Sequence, residues 1–163
     1  MTWRLIATVF LSLIGSLSAH SLHADTAGRF FFGSVRCDYF LALPEQAEGP
    51  TALVVALHGY GDRVAQFREA TQLETGADLA GVAVLFPQAS PDTVEKAAWN
   101  VGEGTADQDD LGTLVFAIED ITATYDIDPK RVFLVGYSNG ASKAYQLVRA
   151  RMPSRQSLRS REI

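Results

Sequence analysis

The residues best placed to do chemistry are Gly136-Tyr137-Ser138-Asn139-Gly140, a hydroxyl set between two glycines. Arg131 to Val135 before them is a short apolar, β-branched run that reads as a buried strand. Ala141, Ala144, Tyr145, Leu147 and Val148 after them recur as one face of a helix. A turn that joins a strand to a helix this abruptly strains the serine backbone and leaves no room for side chains two residues to either side. Glycine at both places removes the collisions. The hydroxyl is then lifted off the sheet edge beside a helix N-terminus, whose backbone N–H groups favour negative charge. A serine so placed can attack a carbonyl carbon and leave the resulting oxyanion among amides. Without the flanking strand and helix, the same five residues would be an ordinary glycine-rich turn.

The rest of the chain must hold that turn in place. Val35, Cys37, Tyr39 and Leu41 alternate with Ser34, Arg36, Asp38 and Phe40, predicting strand over 30–43 with a hairpin bend at Gly33. Ala52 to Leu57 and Val82 to Phe86 are apolar throughout, as strands covered on both faces are. Phe67, Ala70, Leu73 and Ala77 predict one helix over 64–80, stopped by Gly81. A long loop over 88–106 precedes an amphipathic helix marked by Leu111, Leu114, Val115, Ile118, Ile121 and Tyr125, capped by Asp107 or Asp109. Strand, helix, strand, helix, strand, helix implies crossovers, a parallel sheet and helices on both of its faces.

At 163 residues the chain is one domain, and 47% hydrophobic with 20% charged residues is an ordinary globular composition. A net charge of −5 argues against nucleic acid as a partner. Arg4 followed by the apolar run Leu5 to Leu17, then Ala19-His20-Ser21, reads as an export signal over residues 1–24. That run is shorter than the ~20 residues that span a bilayer, so no membrane association is expected after cleavage. The single cysteine, Cys37, reads as a half-buried thiol in a strand or as a sulfur paired outside this chain. Residues 151–163 are basic, polar and without apolar period, and read as a tail outside the domain proper at 25–150.

Several stretches together resemble the α/β-hydrolase superfamily, and within it the secreted polyhydroxybutyrate depolymerase and feruloyl or acetylxylan esterase group. They are Leu57-His58-Gly59-Tyr60-Gly61-Asp62, Phe86-Pro87-Gln88, Trp99-Asn100, Asp109-Asp110-Leu111, and Asp128-Pro129-Lys130-Arg131-Val132 leading into the Ser138 turn. The resemblance implies a three-layer α/β sandwich with a mostly parallel sheet. It implies a serine esterase acting on small-molecule or polymeric esters, with no cofactor and no metal. Ser138 would be the nucleophile, with the oxyanion held by backbone N–H groups of Asn139 and of the Gly59–Tyr60 loop, Tyr60 above all. Gly136, Gly140 and His58 would support the elbow and the loop. Asp109 and Asp110 would cap a helix and anchor a loop; a calcium site of Glu103, Asp107 and Asp109 has no ligand spacing behind it.

The chain departs from that pattern after the serine. The fold's order is serine, acid, histidine, whereas no histidine or aspartate follows Ser138 and the one acid is Glu162. The histidines are His20, His23 and His58. The expectation is a chain shortened at its C-terminal end, incomplete beyond the elbow strand, and nearly inactive. Left open are a non-catalytic exported fragment or binding module, a peptidase or thioesterase on the same scaffold, the ester cleaved, and the oligomeric state.

Overall fold

The computed structural model describes residues 24–47, 49–91, 96–102 and 108–151. The expected leader up to residue 23, the tail from residue 152, the Asp107 cap and the calcium reading at Glu103 and Asp107 lie outside the described residues.

Two strands, β1 (Ala24–Phe32) and β2 (Val35–Leu43), form the hairpin expected at Gly33. The register closes at Phe32 opposite Val35, and Gly33 takes φ +60°, where a Cβ is strained. Ala24, the last residue of the expected leader, pairs with Leu43 as the first residue of β1. The hairpin runs antiparallel onto β4 (Val82–Pro87), which lies parallel to β3 (Thr51–Leu57), and β3 lies parallel to β5 (Ile127–Gly136). The order is β1-β2-β4-β3-β5, a sheet antiparallel at one side and parallel at the other.

The apolar runs of β3 and β4 are the centre, as their composition requires. Leu53, Val55 and Leu57 point to one face and pack with Leu114, Ala117, Ile118 and Ile121 of α3 (Asp110–Thr124) and Leu147 of α4 (Asn139–Arg151). Ala56, Val84 and Phe86 point to the other and meet α1 (Val64–Thr71) and α2 (Leu73–Leu79) through Val64, Phe67, Leu73 and Ala77. Each fully buried aliphatic side chain contributes about 1.5–3 kcal/mol. Leu57, at 0% exposure beneath the site, is the one whose truncation would most directly loosen it.

Three expectations need correction. The single helix over 64–80 is two helices, broken at Gln72, which sits in the left-handed region at φ 50°. The break re-aims the second half so that Leu73 and Ala77 reach the cluster that Val64 and Phe67 already fill. Cys37 is fully buried rather than half-buried, and burial pushes its pKa up to about 12, which keeps it a neutral thiol. The strand before the elbow is the bare apolar edge that a fold incomplete beyond it implies, and so is buried on one face only rather than throughout. Val132 and Leu134 pack on the α3 side, while Phe133 is 56% and Val135 38% exposed on the other. The reason is position: β5 is the last strand of the sheet among the described residues.

Candidate active site

Three segments meet at the carboxyl end of the central strands: the turn from β5 into α4, the loop after β3, and the loop after β4. In the first, Ser138 has φ 52°, left-handed for a residue with a side chain. Such a conformation costs on the order of 1–3 kcal/mol and persists only where the surroundings enforce it. Here they do. Tyr137 N–H donates to the Leu57 carbonyl (3.0 Å), and Gly140 N–H donates back to Tyr137 (2.9 Å). Ala141 and Ser142 N–H both donate to the Ser138 carbonyl, at 3.0 and 3.2 Å. A Cβ on Gly136 would lie 2.5 Å from the Gly140 carbonyl group, and one on Gly140 would lie 2.2 Å from the Leu57 oxygen. The glycines therefore serve two approaches, turn against turn and helix α4 against the end of β3. Ser138 itself is exposed at the bend. Asn139 opens α4, and the first amides of a helix have no partner within it.

The loop after β3 is built on His58, which is 0% exposed. Its Nε2 accepts the Ala89 N–H at 3.0 Å, and a backbone amide can only donate. The ring proton is therefore on Nδ1, 2.8 Å from the Gly59 carbonyl that accepts it. Gln88 Nε2 also lies 3.0 Å from His58 Nε2, while Gln88 Oε1 accepts the Val64 N–H that starts α1. Burial holds the His58 pKa below its ordinary value, outweighing the Gly59 hydrogen bond and the Asp62 charge. With both nitrogens committed and the cation disfavoured, the ring ties the loop after β3 to the loop after β4.

Of the loop amides, the Gly59 N–H donates to Asp62 Oδ2 at 3.1 Å. The Gly59 backbone donor, expected toward the oxyanion, is thus engaged within its own loop in this structure. Gly59 instead matters for closeness: a Cβ there would lie 2.9 Å from Asp62 and 3.0 Å from the Tyr137 ring. Tyr60 is 46% exposed, and the Lys96 ammonium stands 5.7 Å from its ring centroid.

Asp109 caps α3, accepting the Gly112 N–H at 2.9 Å. Asp110 is buried and accepts the Asn100 N–H, anchoring the loop after β4, and the buried Lys143 of α4 faces it. Burial raises the Asp110 pKa and lowers that of Lys143, each opposed by the other's charge. The pair lines a cavity of about 770 Å³ with Asn100, Gln108, Gln146 and Arg149. Sequence reasoning missed the partners that hold the site: Asp62 for Gly59, Gln88 for His58, and Trp99 for Asn139, whose carboxamide accepts the Trp99 N–H. All three stand in the stretches that carry the resemblance, yet nothing in their spacing says what each one bonds. Among the described residues no group of three or more His, Cys, Asp or Glu could hold a metal, and no helix is long and apolar enough to cross a membrane.

The fold is that of esterases with an α/β-hydrolase architecture. The S-formylglutathione hydrolase of Agrobacterium tumefaciens superposes with a TM-score of 0.65 at 18% identity, over 78% of this chain and 52% of that one. That of Staphylococcus aureus gives 0.58 at 16% identity, over 74% and 49%. The acetyl xylan esterase of Aspergillus awamori gives 0.54 at 18% identity, over 64% and 39%. The chain thus spans about half the length of the S-formylglutathione hydrolases it matches. No curated protein matches the sequence closely enough to serve as a relative. The family described as esterase PHB depolymerase matches residues 37–158, most of the chain and every segment of the site. The chain belongs to the esterase PHB depolymerase family.

Proposed function

We propose that this chain carries the nucleophile and the oxyanion-binding part of an exported carboxylic-ester hydrolase, with Ser138 as the nucleophile. The observation that carries the reading is the left-handed Ser138 at the strand-to-helix bend, with the Asn139 amide beside it at the start of α4. In the first step Ser138 Oγ bonds to the ester carbonyl carbon while its proton passes to a base. The carbonyl electrons move to oxygen, held by the N–H groups of Asn139 and Tyr60. The C–O bond to the alcohol then breaks, the alcohol takes up the proton, and an acyl-serine remains. Water repeats the sequence, leaving a carboxylic acid and free Ser138. One oxyanion donor typically supplies about 2.7–4 kcal/mol of transition-state stabilisation.

The base is not His58, whose nitrogens are both engaged. With His58 engaged, turnover without an added base is expected to stay near what an oxyanion site and binding provide, about 10³–10⁴ over water. The family supports small-molecule or polymeric esters as substrates; a polyhydroxyalkanoate or plant cell-wall ester is the type the motif resemblance suggests. The leader-like run before Ala24 supports export.

The test is hydrolysis of p-nitrophenyl acetate with imidazole added as an external base, against a Ser138→Ala control. A saturable rate that depends on Ser138 is expected. Equal rates would leave the second reading, a non-catalytic exported binding module, which the commitment of both His58 nitrogens favours.

A further inference from the structure

The two amides assigned to the oxyanion belong to segments far apart in the chain, the loop after β3 and the first residue of α4. Stabilising a charge between them requires their spacing to be held to about 0.5 Å. The bond from Tyr137 N–H to Leu57 fixes the strands beneath, and the bonds of His58 tie the loop above to the loop after β4 rather than to α4. A third segment, Ala97 to Trp99, touches both sides.

Toward the β3 loop it makes three contacts. The Ala97 carbonyl accepts the Gly61 N–H at 2.8 Å. The Trp99 indole Nε1 donates to the His58 carbonyl at 2.9 Å. The indole also packs against the His58 ring, with centroids 5.3 Å apart. Toward α4 it uses the backbone of the same tryptophan. Trp99 N–H donates to Asn139 Oδ1 at 2.8 Å, and Asn139 Nδ2 donates to the Trp99 carbonyl at 3.1 Å. A carboxamide clasping one residue's N–H and C=O does what a neighbouring strand would do. It needs one acceptor and one donor on a short stem: aspartate lacks the donor, serine lacks the span, and glutamine is a carbon too long.

The segment is itself fixed. Ala98 N–H donates to the Ser90 carbonyl at 2.9 Å, Asn100 N–H is held by Asp110, and Ala98 and Trp99 are 0% and 2% exposed. The residue whose amide is assigned to the oxyanion is thus the one whose side chain is clasped.

We infer that Ala97–Trp99 is a strap setting the distance between the two halves of the oxyanion site, with the Asn139 carboxamide and Trp99 as its positioning residues. Its bearing on catalysis rests on the ester-hydrolase reading; its mechanical part does not. The strap adds a hydrogen-bonded link between Asn139 and Gly61 to the packing of Gly140 on the His58 carbonyl and of Tyr137 on Gly59, so releasing it at Asn139 is expected to be felt at Gly61.

The experiment is amide hydrogen exchange on the full chain for Asn139→Ala and Trp99→Phe, with imidazole-assisted p-nitrophenyl acetate hydrolysis on the same samples. In Asn139→Ala the Gly61 amide is expected to exchange about tenfold faster, the scale of one lost hydrogen bond. The central-strand amide of Val55 stays within about twofold, because the opening is local. Trp99→Phe keeps the clasp and loses the indole donor, so Gly61 again speeds up while the Trp99-position amide does not. In turnover, both variants lower kcat about tenfold at unchanged KM, as expected when only transition-state stabilisation is lost. Unchanged Gly61 exchange in Asn139→Ala, or an equal acceleration of Gly61 and Val55, overturns the strap. Absence of Ser138-dependent turnover in the unaltered chain overturns the ester reading instead, and the exchange result still decides the strap.

Discussion

The α-carbon of Gly140 sits so close to the end of β3 that a methyl group on it would stand 2.2 Å from the Leu57 carbonyl oxygen and 2.5 Å from that of His58. Both are backbone atoms of the central strand and its loop, and neither can turn aside as a side chain could. Gly140→Ala must therefore push α4 off β3 and carry Ser138 with it. We expect a loss of about 1–3 kcal/mol, the usual cost of overpacking, and possession of no Ser138-dependent activity. Gly76→Ala is the contrast, since a Cβ there meets nothing within 4 Å, and helix propensity favours it by up to about 1 kcal/mol. Urea midpoints of the two variants should move in opposite directions.

His58 makes stability depend on pH with a definite sign. Burial lowers its pKa in the folded chain below the ordinary 6.5, so the unfolded chain takes up the proton first. Its contribution is complete above about pH 6.5 and is lost as the pH falls toward the folded value. His58→Gln cannot titrate in this range. The urea midpoint should thus drop between pH 7.5 and 5.5 more in the unaltered chain than in the variant. Parallel curves would mean that His58 is not buried as a neutral ring.

The sheet was legible because its central strands announce themselves. Ala52 to Leu57 and Val82 to Phe86 have no polar residue to spare for solvent, and only a strand covered on both faces uses such a run. The Ser138 turn was legible because steric necessity puts glycine at 136 and 140. What composition could not give is long-range pairing. No local pattern says that Gln88 will lie against His58 or that Trp99 will grip Asn139, and hydrogen bonds spanning 30 and 40 residues carry no period. The break at Gln72 was hidden for a related reason: the apolar spacing of Phe67, Leu73 and Ala77 suits one helix, and the break shows only in the left-handed backbone of Gln72. Nor does any local pattern say that Asp62 turns back on its own loop to take the Gly59 amide.

Asp110 and Lys143 are 3% and 2% exposed, a carboxylate and an ammonium brought in from different helices. Burial works against the charge on each, while the partner's charge supports it. Removing one partner leaves the other buried with less compensation, Asp109 alone for Lys143 and the Asn100 N–H alone for Asp110, so the losses should not simply add. We expect Asp110→Asn and Lys143→Met each to destabilise the chain, and the double variant to lose less than the sum of the two by about 1–3 kcal/mol. Additive losses in a double-mutant cycle would show that the two charges do not interact. Asp110→Asn keeps an acceptor for the Asn100 N–H, so the loop itself should stay in place.

Along β5 the residues Phe133 and Val135, continued by Tyr137 at the turn, are 56%, 38% and 66% exposed on the last strand of the described sheet. An open strand edge carrying apolar side chains is a template for pairing with another chain. We expect the protein to self-associate through this edge, with light scattering that rises with concentration at neutral pH. Phe133→Lys with Val135→Lys places charge where both side chains are already in solvent, while Val132 and Leu134 continue to pack on the α3 face. The double variant should stay monomeric in sedimentation at concentrations where the unaltered chain does not, with the same far-UV circular dichroism. Association that survives both lysines would move the contact away from β5, and Tyr145 and Val148, 65% and 41% exposed on α4, would be the next surface to charge.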